Sequence, residues 1–203
     1  MSLIYRTLFP YLVWSIPSED TVYLTFDDGP IPEVTPWVLE QLEQYKAKAT
    51  FFCVGDNVRR NPDLYDSIIK SGHAIGNHTM HHLNGWKTSD EQYITNVKEC
   101  SSYVTSNLFR PPYGKIRFSQ SKILRRKYTI IMWDVLSRDY DDSYTGDECF
   151  TIVKRKTRPG SIVVFHDSLK AESRMRIALP KTLEYLSSQG YRFGTIKLRQ
   201  SFH

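Results

Sequence analysis

The 203-residue sequence contains no run of about 18 apolar residues, no internal repeat, no low-complexity tract and no block of lysine and arginine. The first absence argues against a membrane-spanning helix. The next two argue against a solenoid or domains strung on a linker. The last removes the usual footprint of a nucleic-acid partner, so a net charge of +5 reads as a mildly basic surface. Cysteine is sparse as well: Cys53, Cys100 and Cys149 are far apart and form no CxxC pair. That excludes a disulfide framework and a Cys-rich zinc module, and favours a reducing compartment. The first 14 residues are apolar and aromatic but are interrupted by Pro10, and they lack a basic stretch followed by a continuous apolar one. The expectation is one domain over residues 1–203, with residues 1–20 packed on it and the protein in the cytoplasm. A weak membrane-surface contact through Leu8, Phe9, Tyr11, Leu12 and Trp14 is the alternative.

What is present is an alternation of short apolar runs with amphipathic stretches. Val22–Phe26 is β-branched and aromatic and predicts a buried strand, as do 49–54, 129–132, 162–165 and 191–196. Residues 33–46 carry Val34, Val38, Leu42 and Tyr45 at helical spacing. Asn61-Pro62 and Gly72 bracket a second helix with a stripe of Leu64, Tyr65, Ile68 and Ile69. Further helices are predicted over 89–107, with Leu108 extending the apolar face, and over 146–156 and 179–189. Such alternation builds a parallel sheet with helices outside it, and ligands gather where strands end.

Two segments carry the chemistry. Thr25-Phe26-Asp27-Asp28-Gly29-Pro30 puts adjacent carboxylates between an apolar run and a turn, and His78-Thr79-Met80-His81-His82 puts two imidazoles four residues apart. One Asp and two His leave a divalent cation an open position, as catalytic rather than structural sites do. No Glu follows His78, so the metalloprotease HExxH pattern is missing. Alone, either His reads better as a structural residue than as a ligand, and the Asp pair reads equally as a turn cap or a ligand. Three later segments add to them: Arg110-Pro111-Pro112-Tyr113-Gly114, Trp133 to Tyr140, and Ile162 to Asp167.

With those segments in order, the chain resembles the polysaccharide deacetylase family (NodB homology, carbohydrate esterase family 4). The series TFDDGP, H-[ST]-x-x-H, R-x-P-[YF], an acid motif and L-x-H spans residues 25 to 166, and Leu179-Pro180-Lys181 through Tyr191 looks like the family's last helix and strand. The resemblance implies a distorted (β/α) barrel of parallel strands with outer helices. It also implies removal of N-acetyl groups from N-acetylglucosamine-containing glycans, peptidoglycan or chitin-like. Asp28, His78 and His82 would hold the ion, zinc first, with cobalt, nickel, iron or manganese also compatible. Thr79 would brace the histidine loop. Asp27 would be the general base toward water and Arg110 would orient it. The Tyr113 backbone N–H would stabilise the oxyanion, His166 would protonate the leaving amine, and Asp139 would keep that imidazole charged. Pro112, Trp133, Tyr140 and Val164 complete the implied substrate and oxyanion surface.

Three positions depart from the family pattern. Tyr140 replaces a Trp, Leu136 replaces an acid, and Val164 replaces the Leu of L-x-H. None removes a ligand, base or acid, but each alters the acetyl pocket. The alternatives are therefore an O-acetyl xylan esterase or small-amide hydrolase on the same site, or a catalytically silent glycan-binding protein.

Overall fold

The computed structural model describes residues 10–197. Among these residues eight short strands, β1 (Thr21–Asp27), β2 (Thr50–Cys53), β3 (Ala74–Asn77), β4 (Leu108–Phe109), β5 (Thr129–Ile130), β6 (Val135–Leu136), β7 (Ile162–His166) and β8 (Arg192–Phe193), form one sheet. Its order is β5-β4-β3-β2-β1-β7-β6, with β8 beside the start of β1, and every named pairing is parallel. The sheet curls into a barrel-like half-cylinder: β5 and β6 are neighbours in the chain yet lie at opposite ends of this path.

The helices are α1 (Thr35–Gln44), α2 (Gly55–Arg60), α3 (Pro62–Lys70), α4 (Asp90–Cys100), α5 (Phe118–Leu124), α6 (Gly146–Lys156) and α7 (Glu172–Ser188). Val38 and Leu42 of α1, Ile68 of α3, Cys149 and Val153 of α6, and Leu179 and Leu183 of α7 are fully buried in one core with Leu24, Phe26, Phe51 and Phe165. That core explains the amphipathic spacing: each helix turns one stripe toward the sheet.

The segment Val13–Ser15 reaches across the open seam. Val13 bridges Ile131 beyond β5, and Ser15 bridges Ser161 just before β7. Leu12 and Trp14 are buried in a second cluster with Tyr93, Phe109, Ile130 and Met132. Leu12 and Trp14 are thus withdrawn from the membrane contact considered above, while Leu8 and Phe9 lie outside the described residues. Among the described residues no helix is long and apolar enough to cross a membrane. All three cysteines are free and buried.

Several boundaries differ from those the sequence predicts. The helix expected over 89–107 stops at Cys100. Val104 is buried beyond that end, and Leu108 joins β4 instead of the helix face. Two serines follow Cys100, and sheet pairing beyond them outcompetes continuation of an exposed helix. The last helix starts at Glu172 and carries Pro180 inside it. Asn61 precedes α3 but does not cap it, its amide instead donating to the Asn57 carbonyl at 3.0 Å. Gly72 adopts φ 79 just past α3, the left-handed conformation a C-terminal glycine supplies. The strand expected over 191–196 pairs only through Arg192 and Phe193, while α2, α5, β3, β4 and β6 have no counterpart in the pattern reading.

Candidate active site

Register places the motifs in one row. Asp27 at the end of β1 lies level with His166 at the end of β7, and on its other side with Phe52 of β2. Cys53 pairs with Asn77, and Asn77 with Phe109, so His78 and Arg110 follow from adjacent strand ends. This is the C-terminal edge of a parallel sheet, where loops are free to present side chains. Among the described residues, five of the six non-glycine residues with positive φ sit in these loops: Asp28 (88), Thr79 (66), His82 (53), Tyr113 (59) and Arg138 (66). Left-handed backbone costs a non-glycine residue energy, and packing must hold it there.

Asp28, His78 and His82 converge, with one possible ligand atom from each lying within 4.8 Å of the others. Asp28 Oδ1 is 3.1 Å from His82 Nε2 and 3.7 Å from His78 Nε2. That same oxygen is buried without a hydrogen-bond donor among the described residues. An orphaned carboxylate oxygen aimed at two imidazole nitrogens is the arrangement a divalent cation completes. The other ring nitrogens are occupied: His78 Nδ1 meets the Arg110 carbonyl at 2.8 Å and His82 Nδ1 the Tyr113 hydroxyl at 3.1 Å. Donating from Nδ1 leaves each Nε2 lone pair for a metal. Burial pushes His78 down to about 4, so it is neutral and ligand-competent at neutral pH. Burial alone would raise Asp28, but the close His82 imidazole, with His166 and His78 nearby, outweighs it and lowers its pKa.

The histidine loop is braced from several sides. Leu83 N donates to Thr79 Oγ1 at 3.1 Å, and Thr79 N to Asn77 Oδ1 at 2.9 Å. Asn96 of α4 receives Met80 N and His81 N on Oδ1 and offers Nδ2 to His81 Nδ1. His81 is therefore bound to the brace, and the His78–His82 spacing is realised on an irregular turn outside any helix. Asn96 was not foreseen, although its signal was present. It shares the buried face of α4 with Tyr93, Val97 and Cys100, and a polar residue on an apolar stripe has a partner to serve.

Asp27 Oδ1 accepts from Arg110 Nη1 at 2.7 Å. Arg110 is fully buried and donates also to Thr25 Oγ1, Ile131 O and Met132 O, with its guanidinium 4.1 Å from the centre of the Phe52 ring. Burial draws the Arg110 pKa downward, opposed by the Asp27 carboxylate. Every direction of the planar fork thus meets an acceptor or an aromatic face. Thr25, the residue that opens the TFDDGP segment, was not singled out for this role.

On the far side of β1, His166 Nδ1 meets Asp139 Oδ1 at 2.7 Å, and His166 N donates to Asp139 Oδ2 at 2.8 Å. Asp139 is fully buried, and its backbone carbonyl accepts from Arg174. Burial disfavours the charged imidazole, but Asp139 outweighs it and raises His166 to about 9. The Tyr140 ring packs edge-on to His166 at 5.0 Å. Asp167, the next residue, is buried under the Asp27–Gly29 turn: Gly29 N and Thr35 Oγ1 donate to its carboxyl. Burial raises its pKa to about 8.

A cavity of about 850 Å³ opens over these groups, lined by Asp27, Asp28, His78, His82 and His166, with Tyr113, Trp133, Leu136 and Tyr140 as its aromatic and apolar walls. Two expected contacts are absent from this lining. Val164 is fully buried within β7, and Pro112 is buried in the turn beneath Tyr113. A strand alternates its faces, and Val164, two residues before His166, sits deeper in the barrel than the strand end. Asp134 reaches the lining, but its carboxylate is taken by Ser161 Oγ and Ile162 N, both at 2.9 Å.

Known proteins share this layout. The sequence model of the family described as "Polysaccharide deacetylase" matches residues 15–128. A peptidoglycan-N-acetylglucosamine deacetylase of Bacillus cereus is 39% identical over 194 residues, covering 92% of this chain and 91% of that protein. A chitooligosaccharide deacetylase of Azorhizobium caulinodans is 34% identical over 161 residues, with 74% and 75% covered. The crystal structure of a peptidoglycan N-acetylglucosamine deacetylase superposes with a TM-score of 0.88 at 30% identity, covering 97% of this chain and 95% of that one.

Proposed function

We infer that this chain, which belongs to the polysaccharide deacetylase family, is a metal-dependent hydrolase that removes N-acetyl groups from N-acetylglucosamine-containing glycans. The observation that carries the reading is the orphaned Asp28 Oδ1 held between His78 Nε2 and His82 Nε2, beside the Arg110-bound Asp27. Asp28, His78 and His82 would hold the ion, with zinc the first choice for this donor set. When bound, a divalent ion polarises the acetyl carbonyl and makes water acidic enough to attack near neutral pH.

The chain's own groups divide the remaining work. Asp27 keeps Oδ1 on Arg110, and we assign its second oxygen to take the proton of the attacking water. The guanidinium prevents Asp27 from turning away. His166 has Nδ1 committed to Asp139, so its Nε2 carries the proton offered to the departing nitrogen. An amide nitrogen leaves poorly unless protonated, and an imidazole raised to about 9 is charged at neutral pH. That match favours N-acetyl over O-acetyl substrates. We keep the Tyr113 backbone N–H as the donor to the oxyanion. Trp133, Leu136 and Tyr140 enclose the acetyl group and sugar.

The test is acetate release from N-acetylglucosamine oligomers and peptidoglycan fragments, together with metal analysis of the purified protein. Release that stops with chelator and returns with added divalent ion supports the reading. Release indifferent to chelator, or release confined to O-acetylated xylan, overturns it.

Asp139→Asn gives a second check through pH. The raised pKa of His166 means that its acid form persists up to about pH 9. Without the Asp139 charge and hydrogen bond, burial is opposed only by the Asp28 and Asp27 carboxylates, and the imidazole pKa falls from about 9. The alkaline limb of kcat/KM should therefore move to lower pH, with activity at pH 8 falling in step. A limb that stays near 9 in this variant rules out His166 as the acid.

A further inference from the structure

The cavity is lined by more than its chemistry requires. Beyond the catalytic groups it is lined by four cations, Lys115, Arg138, Lys156 and Lys170. They come from separate segments: Lys115 follows the turn after β4, Arg138 follows β6, Lys156 ends α6, and Lys170 follows β7. In sheet order β4 and β6 lie on opposite sides of β1, so cationic groups flank the catalytic row from both sides. At about 850 Å³ the cavity sits toward the upper end of the usual range for small-ligand pockets, roughly 300–1,000 Å³.

The three lysines are not neutralised locally. Among the described residues, no ion pair involves Lys115, Lys156 or Lys170. Lys115 rests its Nζ 5.4 Å from the Trp86 ring centre, and Arg138 is 3.6 Å from Asp141 and 5.4 Å from the Tyr144 ring. The acids in the lining are committed elsewhere, Asp27 to Arg110, Asp28 to the histidines, and Asp134 to Ser161 and Ile162 N. Arg138 adopts φ 66 in the short segment between Ser137 and Asp139. A large side chain held in left-handed backbone at a cavity wall is a departure that invites a functional reason.

We propose that this cationic flank is a subsite for a negatively charged group on the sugar next to the one being deacetylated, so that the enzyme selects anionic over neutral acetylated glycans. The proposal rests on the deacetylase reading and specifies its substrate. A carboxylate and a phosphate offer such cations the same acceptor chemistry. Cations inside a cavity with low-dielectric walls act on such a group more strongly than the same charges spread over a surface. The preference therefore lies in KM more than in kcat, and salt weakens it.

The experiment compares three acetylated oligosaccharides of equal length: a neutral N-acetylglucosamine oligomer, one with carboxylate-bearing alternate sugars, and one carrying phosphate. The metal-loaded protein should favour at least one acidic oligomer by about tenfold in kcat/KM at low salt, equivalent to about 1.4 kcal/mol. Which acidic oligomer gains identifies the anion. In Lys156→Gln/Lys170→Gln the ratio should collapse to within about threefold, while the charge-matched control Lys70→Gln/Lys98→Gln keeps it. Equal rates on neutral and acidic oligomers, or a ratio that survives the Lys156/Lys170 change, overturns the proposal. Dissociation constants of the same oligomers on the Asp27→Asn protein provide a readout independent of turnover. If no oligomer is deacetylated, the catalytic reading fails, and the acidic-to-neutral affinity ratio still decides the subsite.

Discussion

Asp27→Asn is expected to lower kcat on an N-acetylglucosamine oligomer by about 10²–10⁴-fold, the range for loss of a positioned general base, while the protein still binds its metal. Asp28→Ala should lose activity by a different route, with metal content falling in parallel. The two carboxylates are adjacent in sequence yet have unlike surroundings. Asp27 is buried against Arg110 and Thr25, whereas Asp28 turns through φ 88 to meet His78 and His82. An asparagine is isosteric with aspartate and can still accept from Arg110 Nη1, so the Asp27 variant should fold. Metal analysis beside steady-state kinetics separates the cases. Full activity in Asp27→Asn would dismiss it as the base, and a normal metal content in Asp28→Ala would dismiss that residue as a ligand.

Arg110→Leu should be the most damaging change to stability, by about 3–5 kcal/mol, the range for breaking a buried ion pair on one side. Arg110 is fully buried, and its loss strands Asp27 together with the carbonyls of Ile131 and Met132. Against a typical total of about 5–15 kcal/mol, that leaves many domains partly unfolded. Arg110→Lys keeps the charge but not the fork, since one ammonium on a flexible stem cannot reach four acceptors spread around a planar group. It should fall between wild type and Arg110→Leu in both urea midpoint and kcat. A midpoint for Arg110→Leu within about 1 kcal/mol of wild type would mean that the buried guanidinium network is not what holds Asp27.

Much of the site was legible because its chemistry is local. Asp27-Asp28 and His78 to His82 are short segments whose residue types already suggest a ligand set, and the order of the later segments narrowed the family. The parts that were missed are those made by distant contacts. Asn96 reaches the histidine loop from 15 residues away, Thr25 meets Arg110 across 85, and Thr35 meets Asp167 across 132. No periodicity rule connects such pairs. Val164 and Pro112 erred in the opposite way: both adjoin site residues in sequence, yet both are buried outside the cavity lining.

The secondary structure divides along similar lines. Long amphipathic stretches such as 33–46 and 146–156 specify their helices through apolar spacing, which depends only on neighbours in the chain. The two-residue strands β4 and β6 carry too little pattern to be read, and exist because a partner strand is in place to receive them, whereas the runs expected over 129–132 and 191–196 shorten to the residues that form β5 and β8. Leu108 shows the difference: helical spacing put it on a helix face, and pairing with Thr129 put it in the sheet.

Residue chemistry and order along the chain were enough to give the family and a candidate metal set in Asp28, His78 and His82, because those signals travel with side-chain type and short spacing, while the base and acid roles came with the family resemblance. Sheet register was needed to bring Asp27 level with His166, and the curl of the sheet to set Lys115 and Arg138 on either side of β1. Folding was also needed to commit the nearby carboxylates elsewhere and leave the lysines without acidic partners. Those outcomes depend on which distant groups become neighbours, and only three-dimensional packing settles that.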